Sequence, residues 1–158
     1  RVKREAITYR DIKIEEVIDI LPSLKSYFNW MNKNPNVIST WDRDWVIDNL
    51  IECIEKDGLA CAAIKDKQIK GVAIFDETKL MFDKESTGLE YCWHVDDDLT
   101  PREKVNVLTE FIGLAESWAK KNKIKKLLIS AEKRNPITKK LLKIGFFETE
   151  TYYQKEIK

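Results

Sequence analysis

Histidine, cysteine and glycine are all scarce in this 158-residue chain. His94 is the one histidine, and neither an HxxxH nor a CxxC spacing occurs. That argues against a dedicated metal site. The three cysteines, Cys53, Cys61 and Cys92, are odd in number and not closely paired. They build no disulfide framework and fit a reducing, cytoplasmic setting. No apolar run approaches the roughly 20 residues of a membrane-spanning helix. The net charge is only +1, so no global field demands nucleic acid or a membrane surface. No internal repeat, low-complexity segment or secretory leader is visible. The first residue is Arg1 rather than Met, which leaves the natural start open.

What is present fits a globular chain. Hydrophobic residues make up 43% and charged residues 35%, enough to bury one core, so residues 1–158 read as a single domain. The organising stretch runs from Gly88 to Phe146. Leu89–Val95 alternates and is rich in aromatic residues, the mark of a strand. Asp96-Asp97-Asp98-Leu99 breaks it. Thr100 then caps a helix, with Pro101 in its first position and Glu103 completing a capping box. Leu108, Phe111, Ile112, Ala115, Trp118 and Ala119 line one face of that helix. Lys125–Ser130 reads as a buried strand. Asn135-Pro136 opens a second helix, which Gly145 ends in the left-handed region. Strand, long crossover helix and strand imply a parallel pair. Ligands of such sheets sit at the carboxyl ends of the strands, here the loop Val95–Pro101.

Ahead of this stretch, residues 6–9 suit a first strand. Asp11 can cap a helix carrying Ile14, Val17, Ile18 and Leu21. Pro22 interrupts it, and a second piece carries Leu24, Tyr27, Phe28 and Met31. A further helix starts at Ser39 or Thr40, with Trp41, Trp45 and Ile47 on its inner side. Leu59–Ile64 and Ile69–Phe75 form a hairpin, with Gly71 as a close-approach point. Asp76–Thr87 reads as a polar connection. Phe146–Tyr152 and Tyr153–Ile157 read as one or two closing strands.

The order of elements, Asn135 leading through a helix to Ile144-Gly145-Phe146, and the tail Tyr153-Gln154-Lys155-Glu156-Ile157 together resemble the GNAT superfamily of acyl-CoA N-acyltransferases. The resemblance covers roughly residues 59–158. It implies an α+β fold with a mixed sheet of six or seven strands, a central parallel pair that splays apart to admit a thioester, and helices on both faces. It also implies acetyl-CoA as acyl donor and an amine as acceptor, approached from the side of the early helices. One departure stands out. The family cradles the CoA pyrophosphate with an Arg or Gln followed by two glycines. Those positions fall on Thr100, Glu103 and Val105, where side chains crowd a phosphate and only the helix N-terminus remains as an anion site.

Acyl transfer to an amine needs a base for the amine and benefits from an acid for the thiolate. Strict alternation places Glu90, Cys92 and His94 on one side of their strand and Leu89, Tyr91, Trp93 and Val95 on the other. The resemblance implies Glu90 as general base. His94 is an alternative, because its imidazole titrates near neutrality. The family's usual acid, a Tyr on the last helix, is replaced by Leu141 or Leu142, which turns attention to Tyr152 and Tyr153. By the same resemblance Val95, Thr100 and Arg102, with Lys133, Arg134 and Asn135 after the second parallel strand, are the expected donor contacts. Lys120–Lys143 holds ten basic residues against Glu132 alone. Without interleaved exposed aromatics, these read as a solvated face rather than a nucleic-acid surface. Trp41 and Trp45 either line an acceptor pocket or pack into the core. A second reading keeps the fold without the chemistry. The chain is then a binding or structural component with a protein partner, for instance phage-encoded and virion-associated.

Overall fold

A computed structural model describes residues 6–33, 39–81, 83–131 and 135–149. The sheet of described residues has five strands in the order β1-β2-β3-β4-β5. These are β1 Thr8–Asp11, β2 Leu59–Lys65, β3 Gln68–Lys79, β4 Ser86–Val95 and β5 Lys126–Leu128. The first four pair antiparallel, and β4 and β5 pair parallel through Thr87–Lys126, Gly88–Leu127 and Leu89–Leu128. The mixed sheet and the parallel pair match expectation, whereas the strand count is lower. Residues 146–149 carry no strand, and the rest of the expected closing segment lies outside the described residues. The parallel pair therefore lies at one end of the described sheet.

Two helices cover each face. On one side, α1 (Val17–Met31) packs on β3 and β4, and α2 (Arg43–Glu55) packs on β2. Their core includes Ile20, Leu24, Leu50, Cys53, Val72 and Ile74. On the other side lie α3 (Pro101–Lys121) and α4 (Pro136–Lys143), with Phe75, Trp93, Val107, Phe111 and Ile137 at the centre. The small side chains of β2, Ala60 to Ala63, are almost wholly buried and let both helical layers approach closely.

Several local expectations are corrected. Pro22 does not interrupt α1, which runs through it. The carbonyl it leaves without a donor belongs to Ile18, which is 61% exposed, so water can take that bond. The second long helix begins later than expected, at Arg43, because Asp42 rather than Ser39 or Thr40 caps it by accepting from the Trp45 N–H at 3.0 Å. Trp45 consequently faces solvent, while Trp41 packs against the core. The polar run Asp76–Lys79 extends β3 and pairs with Ser86–Leu89 of β4, so the connection shrinks to residues 80–85. The close approach at Gly71 is present: a Cβ there would lie 3.0 Å from the His94 carbonyl oxygen. Gly88 is tighter still, with Trp118 at 2.8 Å and Leu127 at 2.7 Å from the same imagined atom.

Candidate functional site

The β4–β3 ladder shifts register between Ile74 and Phe75. Cys92 pairs with Ile74 and Glu90 with Phe75, so Tyr91 is an extra residue, a β-bulge. Cross-strand partners share a face. Trp93 and Val95 therefore lie with Ala73 and Gly71 on the α3 side, and Cys92 and His94 with Ile74 and Val72 on the α1 side. Beyond the bulge the parity reverses, and Glu90 joins Phe75 and Gly88 on the α3 side. This corrects the expected grouping of Glu90 with Cys92 and His94, because one extra residue turns every earlier side chain over.

The bulge lies where the parallel pair ends. Pairing of β4 and β5 stops at Leu89 and Leu128, so the second strand is three residues long instead of the six expected. Beyond it the two chains are joined by side chains. The Glu90 carboxylate accepts from the Ser130 N–H at 3.1 Å and from the Ser130 hydroxyl at 2.6 Å, both at Oε2. The Trp93 indole donates to the Ser130 carbonyl at 2.9 Å. The other carboxylate oxygen, Oε1, is buried and has no hydrogen-bond partner among the described residues. The Trp93 backbone N–H favours the charged carboxylate from nearby without reaching hydrogen-bond geometry at that oxygen. Burial pushes the Glu90 carboxyl above its ordinary value, against the opposing bonds from Ser130. An unpaired carboxylate oxygen in a residue only 8% exposed is costly unless something else completes it.

Tyr27 of α1 joins this cluster. Burial together with the nearby Glu90 charge pushes its phenol well above the usual value, and Ser130 opposes that shift. Its ring stacks on Trp30 at 5.9 Å and meets the His94 ring at 6.3 Å. Glu90 and His94 thus share Tyr27 as a neighbour although they leave β4 on opposite sides. Burial holds His94 below its ordinary value, opposed by Asp96 and Asp97. Beside Tyr27 on α1, the Lys25 ammonium sits 4.7 Å from both the Phe28 and the Trp41 ring centres, a cation–π contact on the side of the early helices. Tyr27, Trp93 and Ser130 were read from the sequence only as core or strand residues. For Tyr27 the available signal was its hydroxyl, since a buried phenol needs a partner.

The loop 96–100 and the start of α3 are differently built. Thr100 accepts from the Glu103 N–H at 3.2 Å, and the Glu103 carboxylate accepts from the Thr100 N–H and hydroxyl, each at 2.9 Å. The Lys104 N–H bonds the Thr100 carbonyl at 2.9 Å, and Pro101 has no N–H to offer. Lys65 reaches across from β2 to Glu103 at 2.8 Å. These bonds, Lys65 foremost, hold the Glu103 carboxyl down to about 2. Lys70 pairs with Asp98 at 2.6 Å and Lys104 with Asp97 at 3.2 Å. Of the expected donor contacts, Val95 is buried toward α3 and Thr100 is engaged in its own cap. Arg102 is exposed, and Asn135 caps α4 by accepting from the Ile137 N–H at 3.0 Å. Lys133, Arg134, Tyr152 and Tyr153 lie outside the described residues. Leu141 is buried and Leu142 exposed on α4. Among the described residues no group of His, Cys, Asp and Glu is arranged to hold a metal ion, and no helix is long and apolar enough to cross a membrane.

No protein-family model matches the sequence, and no curated protein matches it. Solved structures do. A ribosomal-protein-alanine N-acetyltransferase from Brucella melitensis biovar Abortus superposes with a TM-score of 0.72 at 15% identity, over 98% of this chain and 99% of that one. An aminoglycoside antibiotic 6'-N-acetyltransferase from Acinetobacter baumannii gives 0.69 at 16% identity, over 97% and 100%. A Clostridium acetobutylicum protein, described as a predicted acetyltransferase and solved with acetyl-CoA, gives 0.69 at 13% identity, over 96% of each chain. Likeness of this extent at such low identity shows the fold, and the fold of this chain is that of the GNAT acetyltransferases.

Proposed function

We propose that the protein is an N-acyltransferase that moves an acetyl group from a thioester, acetyl-CoA in the simplest case, to a primary amine. The observation that carries this reading is the buried, half-satisfied Glu90 carboxylate at the point where β4 and β5 part. A thioester entering that gap meets a carboxylate oxygen with no partner among the described residues, in a carboxyl that burial pushes upward, which makes it a stronger proton acceptor than a free carboxylate. In the reaction the amine nitrogen attacks the thioester carbonyl carbon, Glu90 takes the nitrogen's proton, the C–S bond breaks, and sulfur leaves as a thiolate that takes a proton from a second group. Ser130 and Trp93 position Glu90 by tying it to β5. The amine approaches from the α1 side, past Tyr27 and His94.

For the donor contacts the reading keeps Val95, Thr100, Arg102, Lys133, Arg134 and Asn135 as first candidates, and Tyr153 or His94 as candidates for the second proton transfer. A second reading has the fold retained for binding a protein partner. It draws on the start of α3, where Glu103 occupies the position an anion would take. One experiment separates them. Purified protein is incubated with acetyl-CoA and a panel of primary amines, including lysine peptides, polyamines and aminoglycosides, while thiol release and amide mass are followed. Turnover that Glu90→Gln abolishes supports acyl transfer. The absence of turnover together with no calorimetric binding of acetyl-CoA at millimolar concentration rejects it in favour of the second reading.

A further inference from the structure

The two ends of the proposed donor path are in opposite states, and the contrast bears on which donor fits. At the gap, one Glu90 carboxylate oxygen has no partner among the described residues. At the start of α3, the anion position is filled from within. Four N–H groups normally stand free at a helix start. Here Pro101 has none, the Glu103 N–H donates to the Thr100 hydroxyl, Lys104 makes the first ordinary helix bond to the Thr100 carbonyl, and of the four only the Arg102 N–H is unassigned among the described residues. The Thr100 N–H just outside the helix is taken by the Glu103 carboxylate. The neighbouring lysines 65, 70 and 104 each already hold an acid of this chain. Val105 packs against the core, so the first turn is also anchored in place.

A diphosphate arriving here would have to displace the Glu103 carboxylate from the Thr100 N–H, the Thr100 hydroxyl and Lys65, and would then sit against the released carboxylate and Asp96, Asp97 and Asp98. Apart from one to the Arg102 N–H, each bond it gained would replace one already made, and the like charges would oppose it. The adenosine diphosphate half of CoA therefore brings little net binding to this end of the site.

Resting on the acyl-transfer reading, we infer that the donor is recognised through its acyl-pantetheine arm and not through a diphosphate at the start of α3, and that pantetheine thioesters without a nucleotide are accepted as well as acetyl-CoA. The chemistry required is a thioester on an uncharged amide-containing chain, whether that chain ends in CoA or in something shorter.

The test compares acetyl-CoA with S-acetyl-pantetheine as donors for the best amine of the panel. The expected kcat/KM values agree within about threefold, and adenosine 3',5'-bisphosphate at millimolar concentration leaves both rates unchanged. Glu103→Gly and Glu103→Gln, the second chosen to keep the cap's shape, should each lower KM for acetyl-CoA and leave that for S-acetyl-pantetheine where it was. Acetyl-CoA better by a hundredfold in the native protein, or competition by the bisphosphate, overturns the inference while leaving acyl transfer standing. No transfer from either donor overturns both. Transfer from both donors at equal efficiency, with Glu103 variants favouring acetyl-CoA, supports it.

Discussion

Glu90 and Glu103 are the same residue type in two opposite electrostatic settings. Glu90 sits in a strand, buried, with one oxygen accepting two hydrogen bonds from Ser130 and the other without a partner among the described residues. Its carboxyl is pushed up by burial. Glu103 sits in the first turn of a helix, bonded to Thr100 and to Lys65, and its carboxyl is held down to about 2. The first has chemistry left to do, because an incomplete hydrogen-bond set and a pKa pushed upward by burial make it the better proton acceptor of the two. The second is chemically finished. It contributes a cap and an ion pair, and both require it to stay charged.

The largest effect that would test the contrast is on rate. Glu90→Gln keeps the shape and removes the base, so acyl transfer should fall about 10²- to 10⁴-fold while KM for the donor changes little. A variant within a few fold of native would move the base to His94, and His94→Asn would then show the loss. Next in size is the double change Glu103→Gly with Val105→Gly. Each glycine should cost about 1 kcal/mol of helix stability, read by urea unfolding. Thr100→Ala follows, at about 1 kcal/mol for the lost cap, with no movement of the acid limb in the pH–rate profile. Ser130→Ala should do the reverse. It removes a bond that holds Glu90 down, so the acid limb moves to higher pH.

The smallest effects are in the pH dependence of stability, and their windows differ. For Glu90 the folded pKa is raised, so its contribution is fully present below the ordinary carboxylate value and is lost as pH rises through the raised one. Glu90→Gln should flatten that part of the melting curve. For Glu103 the folded pKa is depressed, so its contribution is present above the ordinary value near 4.5 and is lost as pH falls toward about 2. Glu103→Gln should lower the melting temperature above that window and converge with native inside it. Thermal melts from pH 2 to 8 on the two variants would show whether the glutamates differ as described. Curves of the same sense would break the comparison.

Much of the α3 region was legible because its signals are local. Thr100, Pro101 and Glu103 write a helix start in four residues, and Phe111, Ala115 and Trp118 repeat at helical spacing. Asn135-Pro136 and Gly145 do the same for α4. The gap was not legible. Leu89 to Val95 alternates cleanly, which predicts one unbroken frame, and the bulge at Tyr91 shows only in the pairing with β3. Ser130 carried no mark, since its partner Glu90 is 40 residues away. Pro22 and Trp45 misled for a shared reason. The local rule for each assumes a buried surround, and both positions face water.

The bulge at Tyr91 also settles a matter of counting. In an unbroken ladder from Ile74 and Cys92, Tyr91 would face Phe75 across the strands, and Glu90 would face Asp76. Two carboxylates would then stand directly opposite, an arrangement that like charges disfavour. The extra residue moves the frame by one and gives Asp76 the apolar Leu89 instead. The upper and lower halves of β4 are therefore read in different frames, as if spliced. An insertion of two residues on the Glu90 side of the splice would preserve every assignment beyond it. An insertion of one would exchange the two faces of the sheet there and turn Glu90 away from the α3 side.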